Sequence, residues 1–436
     1  MSREMKDSGV EWIGEIPEDW TTRKIKFSLN ERIEKNDPIK SKNILSLTAK
    51  QGVIPLSERE GGGNKPKEDF SAYKLAYPGD IVMNSMNIIS GSVGLSNYFG
   101  CLSPVYYMLR PVHKEDDARF YNYVFQSKPF QLSLFGLGNG ILVKQTDNDK
   151  FNTVRLRIPM DKLGNVEIPN ISSSEQQQIV HFLDRKCTAI DTAIEKTKKS
   201  IEKLEEYKKA VITKAVTKGI DPNAKMKDSG VEWIGEMPEG WKVTKTKYLF
   251  RILKRIAGRE GFDVISITQK GLKIKDITSN EGQVAENYSN YQFVLPGDFA
   301  MNHMDLLTGW VDFSTLTGVT SPDYRVFHKI NESVNDDYYK SVFQSLYFNK
   351  VYYGLAQGVA EVGRKRLQAP AFKELKLPCP PSDEPAKIAA YIKGKCMTID
   401  ALIEKKQTAI NKWEDYKKSL IYYAVTGKID CRNEVI

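Results

Sequence analysis

Two sets of polar side chains stand out by type and spacing. The first is Asn84, Ser85 and Asn87, followed by Asn139, Lys144 and Gln145. The second is Asn302, His303 and Asp305, followed by Gln357, Arg364, Lys365 and Arg366. Asn and Gln amides match adenine edges, Arg and Lys match guanine, and all of them can hold phosphates. The chemistry they offer is non-covalent reading of a base-bearing, anionic polymer. The plain alternative for each residue is an ordinary solvated loop.

Covalent chemistry finds no support. The histidines His113, His181, His303 and His328 do not pair at metal-ligand spacing. Gly61-Gly62-Gly63 runs into Asn-Lys-Pro rather than the Lys-Ser/Thr of a phosphate-binding loop. No Asn-Pro-Pro-Tyr or Asp-Pro-Pro-Tyr stretch is present to hold a target amine for methylation, and no nuclease-like Asp…Glu-x-Lys cluster recurs. Asp80 and Asp298 do recur, each after a Gly. A turn acid bonding its own backbone accounts for them better than catalysis.

The elements that must position the polar sets are written twice. Met5–Trp20 returns as Met226–Trp241 with changes only at Ile16/Met237 and Asp19/Gly240. Lys186-Cys-Thr-Ala-Ile-Asp191 and Glu206-Tyr-Lys-Lys209 return as Lys395-Cys-Met-Thr-Ile-Asp400 and Asp415-Tyr-Lys-Lys418. A period this long marks a duplicated domain, not a solenoid. Between these frames the match is skeletal. Residues 43–48 and 263–268 alternate as strands. Pro78-Gly-Asp80 and Pro296-Gly-Asp298 read as turns into buried strands. Val124-Phe-Gln-Ser127 and Val342-Phe-Gln-Ser345 read as core helix, and 136–140 and 354–358 as loop. Two alike frames around unlike inserts suit a protein that holds two different things in the same way.

Each half closes on a long helix. Ile194, Thr197, Ile201, Leu204, Val211 and Ala215 alternate steps of four and three, apart from Lys208, as does Ile403, Lys406, Ile410, Trp413, Leu420 and Ala424, apart from Lys417. Two alike seams predict an antiparallel pair, with Ile194, Ile201 and Leu204 facing Ile403, Ile410 and Trp413. Residues 185–218 would span about 50 Å. Small hydroxyls before Glu175, and Pro385 near Glu384, mark the helix starts. Gly219 and Gly427 mark the stops.

The bulk numbers agree. With 41% hydrophobic and 27% charged residues, each copy can bury a core, and the net charge of +9 leans toward an anionic partner. The five cysteines are scattered, which fits a reducing compartment, and Cys187 and Cys396 hold equivalent helix positions. No signal peptide and no membrane-length apolar run is visible, so the expected compartment is the cytoplasm.

On these residues the chain resembles the specificity subunit of Type I restriction–modification systems. The marks are the duplicated Val-Glu-Trp-Ile-Gly-Glu-x-Pro-Glu-x-Trp opening, the Pro-Gly-Asp turn, Glu175, Gln176 and Ile179 at the first long helix, and the closing Lys-x-x-Ile-Asp-x-x-Ile-Glu-Lys helix. The second copy departs from the pattern with Pro385 where Gln176 stands.

The resemblance implies an α+β protein: two mixed α/β target-recognition domains joined by two long antiparallel coiled-coil helices, with pseudo-two-fold duplication. It places the domains at 1–184 and 222–393, and the spacer helices at 185–221 and 394–436. It implies that each domain reads half of a bipartite, asymmetric double-stranded DNA target. The helices would set the gap and dock two methyltransferase subunits, and restriction (motor-nuclease) subunits would complete the complex. It implies no catalysis and no cofactor in this chain, no metal and no membrane. S-adenosylmethionine would bind the methyltransferase partner, and ATP with Mg would bind the restriction partner. Two readers on a stiff spacer suit half-sites roughly 34 Å apart. The alternatives are a duplicated coiled-coil scaffold that binds no nucleic acid, and a duplicated enzyme.

Overall fold

The computed structural model describes residues 3–48, 51–59, 69–86, 88, 91–141, 155–277, 287–356 and 366–432. The chain forms two compact units, Met1–Thr197 with Thr408–Ile436, and Lys198–Gln407. Each unit therefore takes one whole mixed domain, half of the first long helix and half of the second.

The domain in each unit is built on a four-stranded antiparallel sheet. In the first unit the order is Leu29–Glu31, Tyr106–Pro111, Ile81–Asn84, Val93–Leu95. In the second it is Phe250–Leu253, Arg325–Lys329, Phe299–Met301, Val311–Phe313. The registers correspond: Met83 pairs with Tyr107 and Met301 with Arg325. Both central strands are apolar and fully buried at Ile81–Met83 and Phe299–Met301. A core helix covers each sheet, Ala118–Gln126 and Asp336–Phe348, capped by Asp117 and Asn335. In the second unit the core is aromatic, with Phe250, Phe299, Phe327 and Phe343 in ring contact.

The repeated Pro-Gly-Asp turns are structural, as their position after a strand break suggests. Gly79 and Gly297 have φ of 88° and 86°, which a side chain rarely tolerates. Asp80 Oδ2 accepts from the Tyr77 N–H at 2.9 Å and Asp298 Oδ2 from the Leu295 N–H at 2.8 Å. Both carboxylates are buried, so each also needs a cation. Arg32 Nε supplies it to Asp80 at 2.8 Å, and Arg255 supplies it to Asp298.

The first long helix is continuous over Ser173–Lys218 and the second over Glu384–Val425. Both start at the residues that mark the helix entries, near Glu175 and Glu384, and so run through the boundaries at 185 and 394 that the resemblance placed between domain and spacer. The reason is visible in the first: Ile179, Val180, Phe182 and Leu183 are all buried, a wide face packed on a domain rather than a narrow seam. Segment 136–140, read as loop, holds the end of a 3-10 turn over Phe135–Leu137 and part of a strand over Asn139–Ile141.

The duplicated opening motif joins helix ends. In the first unit, Arg3 lies over the Trp20 ring at 5.3 Å and its Nη2 is 2.6 Å from Glu175 Oε1, at the start of the first helix. The end of the second helix meets the same tryptophan, because a methyl group at Gly427 would fall 2.5 Å from Pro17 Cδ and 3.0 Å from Trp20. In the second unit the roles exchange. Trp241 Nε1 donates to Glu384 at the start of the second helix at 2.8 Å. Gly219, at the end of the first, lies against Trp241 and Pro238. Within each unit the two helix segments are therefore antiparallel.

The seam is graded along its length. Ile194 and Ile410 are buried, whereas Ile201, Leu204 and Ile403 are half-buried. Trp413 departs from the expectation: it is 41% exposed, its ring edge-on to Tyr416 at 6.1 Å. In its neighbourhood the contact with the first helix is made by Lys417, whose Nζ is 2.7 Å from both Asp191 carboxylate oxygens.

Candidate nucleic-acid interface

The polar sets follow the ends of the central strands. In the first unit the chain leaves the strand at Asn84, and in the second at Asn302. Asn84 Oδ1 accepts from the Met86 N–H at 3.0 Å. Asn302 Oδ1 accepts from the N–H groups of Met304 and Asp305 at 3.2 Å. A bidentate adenine contact needs both ends of an amide. In both asparagines the amide oxygen holds a turn. Asp305 does the same, accepting from the Leu307 and Thr308 N–H groups.

Ser85 is a correction. It is fully buried and its hydroxyl donates to Val105 O at 2.6 Å, so it cannot reach a ligand. Small polar residues after a strand serve turns and packing as readily as recognition, and the sequence alone does not separate the two. His303, at the equivalent place, is half-buried. Burial pushes its imidazole down to about 4, helped by the cations Arg325 and Arg366. It is neutral near pH 7 and offers no charge to a phosphate.

Arg366 is exposed. Asn139 has its backbone in a strand paired to Arg155–Arg157, Asn139 opposite Arg157. Asn87, Lys144, Gln145, Gln357, Arg364 and Lys365 lie outside the described residues.

In each unit a later segment is tied by its backbone to the end of the central strand. Ile158 N donates to Ser85 O at 3.0 Å, and Leu367 N donates to His303 O at 3.1 Å. In the second unit this region adjoins a cleft against the long helices whose lining includes Lys208, Lys209, Lys270, Lys340 and Lys350, with Asp312 and Asp400 among them. Such lysines suit a phosphate backbone better than a small apolar ligand.

Arg157 was not singled out in the sequence, yet it holds the position of Arg366: exposed, and immediately before the buried residue that anchors this later segment. The available signal was Arg155-Leu-Arg157 recurring as Arg364-Lys-Arg366. Among the described residues no group of His, Cys, Asp and Glu could hold a metal ion, and no helix is long and apolar enough to cross a membrane.

No protein-family model matches the chain. It is 28% identical over 287 residues to the type I restriction enzyme MjaVIII specificity subunit of Methanocaldococcus jannaschii, a match covering 62% of this chain and 63% of that relative, just under two thirds of its length. It is 24% identical over 448 residues to the putative type I restriction enzyme MjaX specificity subunit of the same organism, covering 96% of this chain and 95% of the relative. A solved chain from work on complex assembly and conformational transition of the type I R-M system shares the fold. Its TM-score is 0.66 at 11% identity, covering 95% of this chain and 99% of that one. The chain thus resembles type I specificity subunits in sequence, and its α+β, two-domain, two-helix fold is that of the solved chain.

Proposed function

We propose that this chain is the DNA-reading specificity subunit of a Type I restriction–modification complex, with one half of a bipartite, asymmetric target read by each unit. One observation carries the reading. The loops after the central strands hang on the same backbone bonds in both units, Ser85–Ile158 and His303–Leu367, while their side chains differ. A common mount with different faces is what two unlike half-sites require. The net charge of +9 and the lysine-lined cleft supply the sequence-independent attraction.

The chain performs no chemistry of its own. Methyl transfer belongs to methyltransferase subunits that bind S-adenosylmethionine, and cleavage to restriction subunits that use ATP and Mg. The methyltransferase docks on the long helices, where Tyr207 and Tyr416 occupy equivalent exposed positions, 54% and 51% accessible. Exposed tyrosines are favoured at protein interfaces. The complex works in the cytoplasm, where its DNA is.

The test is to express the chain with its methyltransferase in a methylation-free host and map modified adenines. One bipartite sequence with a constant gap supports the reading. Methyl transfer by the purified chain alone, or methylation that does not depend on the chain, contradicts it. A scaffold that binds no nucleic acid would show no salt-dependent DNA binding.

A further inference from the structure

The residue after Arg157 and the residue after Arg366 are held in the same way by unlike side chains. Ile158 and Leu367 are fully buried. Each gives its N–H to the backbone carbonyl that follows the central strand. Each also has its carbonyl tied from the neighbouring strand. Tyr107 Oη donates to Ile158 O at 2.8 Å, and Arg325 Nη2 donates to Leu367 O at 2.7 Å. Tyr107 and Arg325 occupy the same register place in the two sheets, opposite Met83 and Met301. A phenol and a guanidinium making one bond means that the bond, not the residue type, is what both copies retain.

This arrangement is costly in the second unit. Arg325 is only 5% exposed and its guanidinium lies over the Phe372 ring at 4.8 Å. Burial lowers its pKa to about 10, and the Nη1 atom has no hydrogen-bond partner among the described residues. A buried cation is expensive unless its bonds matter. What the bonds secure is the backbone that carries the exposed arginine one residue earlier. A guanidinium on a fixed backbone can present its fork to a guanine edge, whereas one on a loose loop loses that geometry.

We infer that Arg157 reads a base edge in the first half-site as Arg366 does in the second, and that Tyr107 and Arg325 are the positioning residues that aim them. This rests on the DNA-reading function proposed above.

The test uses the full chain with its methyltransferase and maps methylated sequences. The variant Arg157→Ala should relax discrimination at a position of one half-sequence by roughly tenfold or more, leaving the other half-sequence unchanged. Arg366→Ala should do the mirror image. Arg157→Lys, which keeps the charge but not the fork, should not restore discrimination. Tyr107→Phe keeps the ring and loses only the hydroxyl, and should relax the same half-sequence as Arg157→Ala, an effect that general destabilisation would not confine to one half. The inference is overturned if Arg157→Ala keeps the parent's discrimination throughout, if Arg157→Lys restores it fully, or if Tyr107→Phe alters neither half or both alike. A parent chain that directs no bipartite methylation overturns the underlying reading, and the inference with it.

Discussion

Lys208 Nζ lies 2.7 Å from both carboxylate oxygens of Asp400, and the same bond in the other unit joins Lys417 to Asp191. The pairs are reciprocal: the duplicated helix donates its lysine in one unit and its aspartate in the other. Each unit therefore carries the same lysine–aspartate bond between its two helix segments, with the donor and acceptor helices exchanged. The side chains of Lys208 and Asp400 are 31% and 54% exposed, so the pair sets register more than stability. A double-mutant cycle on Lys208 and Asp400 should give a coupling of about 0.2–1 kcal/mol. Asp400→Lys should lower the unfolding midpoint slightly, and adding Lys208→Asp should recover it. An additive double variant would show that the pair is incidental.

The two helix stops differ in how tightly they are enclosed. Gly427 and Gly219 both have φ near the left-handed region, 73° and 71°. Any side chain there costs about 1–2 kcal/mol. At Gly427 a methyl would also strike Pro17 at 2.5 Å, while at Gly219 its nearest neighbour is the Glu384 carboxylate at 3.2 Å. Gly427→Ala should therefore destabilise the chain more than Gly219→Ala, measured as the shift in denaturant midpoint. Equal shifts would mean that Pro17 and Trp20 do not close on the helix end.

His303 gives the fold a pH signature. Its pKa is pushed from 6.5 down to about 4 in the folded chain, chiefly by burial. The unfolded chain therefore binds the proton more readily between these values, and stability falls as pH drops through that window. His303→Gln should lose less stability than the parent between pH 7.5 and pH 5. Parallel losses would place the imidazole in solvent.

Much of this architecture was legible in the sequence because frames written twice expose what they share. The Trp20 and Trp241 motifs, the glycine stops and the helix seams are packing features, and packing leaves periodic, repeated signals. The candidate site residues are less fully legible, because their roles depend on local bonding. Asn84, Ser85, Asn302 and His303 stand out because they follow a repeated strand, yet turn bonds engage the Asn84 and Asn302 amide oxygens and Ser85 is buried. An amide in an Asx turn and an amide reading a base look the same in a sequence. Arg157 was not singled out because Arg155-Leu-Arg157 and Arg364-Lys-Arg366 match only loosely, and their equivalence becomes plain once Ile158 and Leu367 are seen anchored alike.

Burial separates the side chains that hold the helices from those that stand open to solvent. Ile410 is 2% exposed, and Ile410→Ala should cost about 2–5 kcal/mol of stability. Tyr207, Trp413 and Tyr416 stand in the open at 54%, 41% and 51%. Their alanine variants should leave the unfolding midpoint nearly unchanged and weaken co-purification with the methyltransferase. If partner binding is unaffected by all three together, the docking face lies elsewhere on the helices.

The central claim is that two readers share one spacer, and lengthening the spacer tests it most directly. Each long helix begins in one unit and ends in the other. Because Lys208–Asp400 and Lys417–Asp191 lock both helices in register, the added turn must go into both, four residues near Thr197 and four near Gln407. Four residues add about 6 Å and nearly preserve the seam's phase. That is close to two base pairs of rise. The account predicts that the variant, expressed with its methyltransferase, methylates the same two half-sequences with the gap between them lengthened by about two base pairs. Methylation of the same half-sequences at the parent's gap would contradict it.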